Sequence, residues 1–192
     1  MTNSHLNGEK IIIENFSSNP SILFLTGASG VGKTSIVTML AAQNTNPCHI
    51  FQHADTDGVA CLKGITEIEQ AKNIEQYQEI ATHKWVEKVK SEYQSTNTVV
   101  MEGQARFHFV KEACEKYGVA RYIIVLIDCD WKIMRLRLTY QRQQPELVTN
   151  QMRNWANFLR QQARSDKIPI VDTSKVTVEQ AVQIIQSRFL QP

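Results

Sequence analysis

Glycine and proline are scarce in this 192-residue sequence, at eight and five. That excludes collagen-like repeats and low-complexity chains rich in both. Cysteine is rare too, and the four present (Cys48, Cys61, Cys114, Cys129) include no C-x-x-C pair. Zinc and dithiol redox spacings are therefore missing. A chain of this length buries enough surface to fold without disulfides, so buried thiols are expected. Neither sign of charge is in excess: 21 Lys and Arg against 19 Asp and Glu leave +2. Whole-molecule attraction to nucleic acid or an anionic membrane is weak at that value. No apolar run approaches the ~18 residues of a membrane span. The polar start MTNSHLNGEK has no apolar core of the kind a signal peptide needs. The expectation is a cytoplasmic chain with neither membrane nor nucleic-acid partner. Hydrophobic residues are 42% and charged residues 21%, which points to a folded chain, and the length suits one domain over 1–192 with residues 1–10 loose.

What is there is an alternation of short apolar runs and longer amphipathic stretches. Ser21–Thr26, Cys48–His53, Thr98–Glu102, Arg121–Asp128 and Lys167–Asp172 read as strands, with Lys10–Phe16 a short edge strand. Helices are predicted over Lys33–Gln43, about 67–94, 106–117, 131–142 and 148–164. In the first long one, Ile74, Tyr77, Ala81, Trp85 and Val89 recur at spacings of three and four. Thr177-Val-Glu-Gln180 matches a capping box that opens a last helix. Strands apolar throughout and joined by helices indicate an α/β fold, a parallel sheet covered on both faces. Sites in such sheets form beyond the carboxyl ends of the strands.

Three of the eight glycines fall in Gly27-Ala-Ser-Gly-Val-Gly-Lys33-Thr34, which fits G-x-x-x-x-G-K-[ST] in full. Glycines allow the tight turn that points backbone N–H groups inward at phosphate oxygens. The helix starting near Lys33 adds the partial positive charge of its N-terminus. Gly27, Ala28, Ser29, Gly30, Val31, Gly32, Lys33, Thr34 and Ser35 are thus the candidate binding loop for a nucleoside triphosphate. Lys33 would reach the β- and γ-phosphates, and the Thr34 hydroxyl would bind Mg²⁺.

Two further glycines follow carboxylates at strand ends. Asp55 and Asp57 precede Gly58 after the second strand, and Glu102 precedes Gly103 at the end of the third. In a parallel sheet they share an edge with the phosphate loop. Asp55 is favoured as the base toward an acceptor hydroxyl, with Asp57 the other carboxylate placed for it. Glu102 is expected to support Mg²⁺. Arg135, Arg137, Arg142 and Arg153 cluster around the polar break Gln141–Pro145. Guanidinium forks bind phosphate oxygens at two points, so Arg137 and Arg142 are expected on a lid, about 137–150, that closes over ATP and excludes water. His49 and His53 read as ordinary strand histidines. Trp85, Trp131 and Trp155 are expected to pack against the sheet, with Trp155 alternatively lining the acceptor pocket, and the long helices at 67–94 and 148–164 are expected to wall that pocket.

With these residues in place, the chain resembles the small P-loop kinases related to nucleoside monophosphate kinases, shikimate kinase and gluconate kinase. GASGVGKTS at 27–35 is similar to their phosphate loop, and Arg137-Leu138 with Arg142 to their lid arginines. The resemblance spans about residues 20–190 and implies a five-stranded parallel sheet with the phosphate-loop strand in the middle. It implies ATP and Mg²⁺ as cofactors and a small molecule as phosphoryl acceptor. Asp172-Thr-Ser-Lys-Val176 resembles the loop packing near their adenine, which would place Asp172, Thr173 and Ser174 at the nucleotide. The D-G-[FY]-P-R of adenylate kinases is missing. Glu102-Gly-Gln-Ala-Arg106 and Gln144-Pro-Glu-Leu147 instead resemble a group of uncharacterised small ATP-binding proteins, and Gln104 and Arg106 would then face the acceptor. Other readings are a non-catalytic ATP-binding module, a nucleic-acid end kinase and a GTPase-type switch. The last lacks N-K-x-D, so guanine has no carboxylate reader.

Overall fold

The computed structural model describes residues 21–54, 71–93 and 97–190. The expected edge strand Lys10–Phe16, and Asp55, Asp57 and Gly58, lie outside the described residues. Five strands form one sheet: β1 (Ile22–Thr26), β2 (His49–His53), β3 (Thr98–Gly103), β4 (Tyr122–Asp128) and β5 (Ile170–Asp172). Their order is β2-β3-β1-β4-β5, and every pairing is parallel. The expected α/β sheet with the phosphate-loop strand central is the one observed.

Alternation along each central strand builds two cores. Ile22 and Phe24 of β1, with Val99 and Met101 of β3 and Ile124 and Leu126 of β4, face one side. There they meet Trp85, Val86 and Val89 of α2 (Ile74–Glu92) and Phe107, Val110 and Cys114 of α3 (Phe107–Lys116). Leu159 and Ala163 of α5 (Asn150–Ser165) complete that layer, where α4 denotes Trp131–Leu136. Leu23 and Leu25 face the other side, against Ile36, Val37 and Leu40 of α1 (Lys33–Ala42) and Val182, Ile185 and Phe189 of α6 (Val178–Phe189). Each fully buried Val, Leu, Ile, Phe or Met side chain among them contributes roughly 1.5–3 kcal/mol of transfer free energy. β1 is buried at every residue, so the loop that leaves its carboxyl end starts from a fixed point. The Thr177 capping box forms as expected, with Thr177 and Gln180 each accepting the other's backbone N–H.

Two helices differ from expectation. Residues 67–70 of the helix predicted over about 67–94 lie outside the described residues; within them it begins at Ile74, because the Asn73 side chain accepts the Gln76 N–H at 2.9 Å and caps the first turn. Ile74 then lies ahead of the packed stripe and is 70% exposed. The helix predicted over 131–142 is α-helical only to Leu136, and Arg137–Gln141 winds as a π-helix. Arg142 N–H donates to the Arg137 carbonyl at 2.9 Å, across five residues. π-turns are rare and gather at functional sites; here Leu138 of the turn is fully buried. A 3₁₀ turn at Pro145–Leu147 follows. Among the described residues no helix is long and apolar enough to cross a membrane.

Candidate functional site

The loop from Gly27 to Lys33 joins β1 to α1, and its glycines do different work. Gly27 has φ +156°, and a Cβ there would stand 2.3 Å from the Ile127 carbonyl oxygen. Gly30 has φ +82°, and a Cβ would meet Leu138 Cγ at 2.9 Å. Only glycine accommodates both the left-handed backbone and the close approach. Gly32 begins α1 with no side-chain cap, and no acidic residue sits in the first turn. A helix start of this kind favours an anion by its partial positive charge. Ala28 and Val31 are buried and pin the loop into the core.

Lys33 is 5% exposed and folds back over the loop, donating from Nζ to the carbonyls of Gly27 at 3.0 Å and Ala28 at 3.2 Å. The curl holds the ammonium within the loop's own turn. Ser35 is exposed on the first turn of α1. Thr34 reaches across to the neighbouring strand, and its hydroxyl donates to Glu102 Oε1 at 2.8 Å.

Glu102 is only 2% exposed although it carries a carboxylate. Oε1 is 2.9 Å from His53 Nδ1 as well as bonded to Thr34. Oε2 is buried and has no hydrogen-bond partner among the described residues. An orphaned carboxylate oxygen is costly unless something occupies the space beside it. A carboxylate next to a Thr hydroxyl is an all-oxygen set suited to a hard cation. Among the described residues no cluster of three or more His, Cys, Asp or Glu could cage a metal. Mg²⁺ needs no such cage, because it takes one or two protein oxygens with phosphates and water. The residues present fit it. When bound, the ion would neutralise charge between phosphate oxygens.

The segment after β3 connects back to the loop. Thr26 Oγ1 donates to the Ala105 carbonyl at 2.8 Å and accepts from the Ala105 N–H at 3.2 Å. Gln104 donates from Nε2 to Ser29 Oγ at 3.1 Å. Gln104, expected to face the acceptor, thus braces the phosphate loop. Arg106 lies over Phe158 at 4.8 Å and Trp155 at 5.4 Å from the ring centroids, with Glu75 Oε1 at 3.4 Å from Nε. Trp155 and Phe158 belong to α5 and Glu75 to α2, so this arginine spans the two long helices expected to wall the acceptor pocket.

Arg137 is not an outward-standing lid arginine in this structure. Nη1 donates to the Val31 carbonyl at 3.2 Å and to Thr173 Oγ1 at 2.9 Å, and Nη2 to the Thr173 carbonyl at 3.0 Å. Thr173 is itself buried, and its hydroxyl contacts the Val31 and Asp128 carbonyls at 2.7 and 3.1 Å. Arg137 therefore clasps the phosphate loop to the segment after β5. Arg142 is exposed at the end of the π-helix. Asp172 accepts from the Ser174 hydroxyl and, at 3.0 Å, from the Ser174 N–H, with Lys175 Nζ at 3.1 Å. Burial works against ionisation of Asp172, but the Ser174 bonds and Lys175 outweigh it and hold the carboxyl below the usual range.

Two participants escape a sequence reading. His53 is the first, since only the register that sets it opposite Glu102 shows its partner. Arg160 is the second. It grips Asp128 at the end of β4 with Nε–Oδ2 at 2.5 Å and Nη2–Oδ1 at 2.9 Å, and donates to the Cys129 carbonyl at 3.1 Å. Hydrogen bonding to Asp128 holds this guanidinium above even its ordinary value.

No protein-family model and no curated protein matches the sequence. Solved structures do match in three dimensions. Shikimate kinase from Acinetobacter baumannii, in complex with shikimate, aligns with a TM-score of 0.57 at 14% identity, over 88% of this chain and 92% of that one. A gluconokinase from Sinorhizobium meliloti 1021 gives 0.57 at 14% identity, over 90% and 93%. A sugar kinase from Janibacter sp. HTCC2649 gives 0.54 at 12%, over 88% and 94%. The chain has the fold of the P-loop small-molecule kinases. At these identities the likeness carries the fold and leaves the chemistry to the residues.

Proposed function

We propose that this chain is an ATP- and Mg²⁺-dependent phosphotransferase that moves the γ-phosphoryl group to a small-molecule acceptor. The observation that carries the reading is the Thr34–Glu102 contact, with the unpaired, buried Oε2 beside an uncapped helix start. A bare anion loop needs no such carboxylate, whereas a loop that handles a nucleotide with its metal does.

In this reading the loop N–H groups and Lys33 hold the phosphates. Lys33 exchanges its two carbonyl partners for phosphate oxygens as charge develops on the transferring group. Thr34 and Glu102 hold the cation. Asp55 or Asp57 orients or deprotonates the acceptor hydroxyl. Arg137 keeps the Thr173 segment against the loop, so the nucleotide's base end and phosphate end are held in one frame. Arg142, exposed at the π-helix end, is the lid cation that meets the transferring group. Arg106 and the α2 and α5 walls form the acceptor side. The acceptor is a small molecule, and the protein acts without nucleic acid or membrane.

The test is a screen of small metabolites for ADP release by the purified chain, repeated with Lys33→Met. Release with one acceptor class and a loss of about 10²–10³ in kcat for the variant supports the reading. Unchanged turnover in Lys33→Met refutes it. Acceptor-independent release makes the chain an NTPase, and ATP binding without release makes it a binding module.

A further inference from the structure

We propose that His53 is a positioning residue for the cation site: its Nδ1–H locks the Glu102 carboxylate so that Oε2 is the oxygen presented to Mg²⁺. This rests on the reading of Glu102 as a metal partner. A carboxylate oxygen only accepts, so at 2.9 Å the His53 Nδ1 carries the proton. Glu102 Oε1 then takes two donors, the imidazole and the Thr34 hydroxyl, while Oε2 takes none among the described residues. That division is what an asymmetric ligand requires. With one donor at Oε1 the group could turn about its last bond and exchange oxygens. With two donors from different elements, β2 and α1, the exchange breaks both bonds.

The frame around the pair is rigid enough for this role. His53 and Glu102 are register partners across β2 and β3. The next residue, Ala54, donates its N–H to the Glu102 carbonyl at 2.7 Å. A Cβ on Gly103 would stand 2.8 Å from the Ala54 carbonyl oxygen, so the ends of β2 and β3 touch backbone to backbone where the imidazole is held. Thr34 also benefits. Its proton is committed to Glu102, which leaves its oxygen lone pairs for the cation. Partners that orient a metal ligand in this way are commonly worth as much as a weak ligand.

The His53 side chain is 51% exposed, so it can be replaced without opening a core cavity. The experiment is equilibrium titration of a fluorescent ADP analogue against the full-length chain at increasing Mg²⁺, with and without chelator. It compares wild type with His53→Leu, His53→Asn and Glu102→Gln. His53→Leu should raise the Mg²⁺ midpoint about ten-fold or more, leaving metal-free nucleotide affinity within about two-fold. His53→Asn, which places an N–H where Nδ1–H stood, should return the midpoint to within about three-fold of wild type. Equal melting temperatures of the two His53 variants confirm that they compare like with like. A His53→Leu midpoint indistinguishable from wild type overturns the proposal, as does a His53→Asn variant impaired as much as His53→Leu. Glu102→Gln separates the two levels. If it shifts the midpoint and His53→Leu does not, only the role of His53 fails. If Glu102→Gln leaves the midpoint unchanged, the metal reading of Glu102 fails and takes the proposal with it.

Discussion

Replacing Arg160 by methionine keeps the length and apolar stem of the side chain and removes its fork. The structure fixes what is lost: two bonds to the Asp128 carboxylate, one to the Cys129 carbonyl and one, on the exposed side, to Asn157 Oδ1. Asp128 would remain at the end of a core strand without its counter-charge. Removing one partner of a buried ion pair costs about 3–5 kcal/mol. Here Arg160 is 26% exposed and Asp128 10%, so water reaches the orphaned carboxylate and the expected loss falls to about 2–4 kcal/mol. With a urea m-value of about 2–3 kcal/mol per molar, the unfolding midpoint should drop by about 1 M. The double variant Arg160→Met with Asp128→Asn removes the stranded charge, so it should recover about half of the loss. The assay is urea unfolding followed by circular dichroism and tryptophan fluorescence, whose agreement checks two-state behaviour. A cost below about 1 kcal/mol, or a double variant as unstable as the sum of the singles, would refute the reasoning.

Gly30→Ala should cost about 1–2 kcal/mol for the left-handed backbone, and more for overpacking against Leu138. Nucleotide affinity should fall with it, and adding Leu138→Val should restore part of that affinity, as read by calorimetric titration. The depressed Asp172 carboxyl contributes stability that is present above its unfolded value of 3.8 and is lost as pH falls below that toward the folded value. Urea midpoints measured from pH 5 to pH 3 should therefore fall less steeply in Asp172→Asn than in wild type, and parallel curves would contradict the linkage. Burial pushes the Cys114 thiol up to about 12 and also raises Cys129, again chiefly by desolvation. In native protein at pH 8, a thiol reagent followed by peptide mapping should modify Cys48, which is exposed, and spare Cys114 and Cys129 until unfolding.

The elements most legible in the sequence are those whose signal is local. β1 and β4 announce themselves as apolar runs because both their faces are covered, and the phosphate loop because glycines at φ +82° and +101° admit few substitutes. Glu102 stands out as a carboxylate ending an apolar strand. His53 does not, because its meaning depends on β2 lying beside β3 in one register, and strand adjacency is not written in either segment. Arg160 is illegible for a related reason. A helix-borne arginine ordinarily faces solvent, and nothing local shows that this one reaches the end of β4. Arg137 stands out in the sequence for its charge, but it bonds backbone carbonyls and a threonine on segments far away in sequence, besides Cys129 Sγ. Ile74 keeps the apolar spacing but stands exposed at the first turn of α2, ahead of what the helix packs against.

The π-turn at Arg137–Gln141 has a consequence for direction. In an α-helix each residue advances about 100° around the axis, so residues five apart point about 140° away from each other. The bond from Arg142 N–H to the Arg137 carbonyl closes one wide turn over those same five residues and stacks the two positions along the axis. One inserted residue therefore brings the Arg142 backbone round over that of Arg137, while Leu138 still seats against Gly30. Deleting Thr139 would let the segment wind as an ordinary helix and swing the side chains that follow within it, up to Arg142, by about 100°. The heading of a positive charge is set in this fold by a single residue of extra chain length.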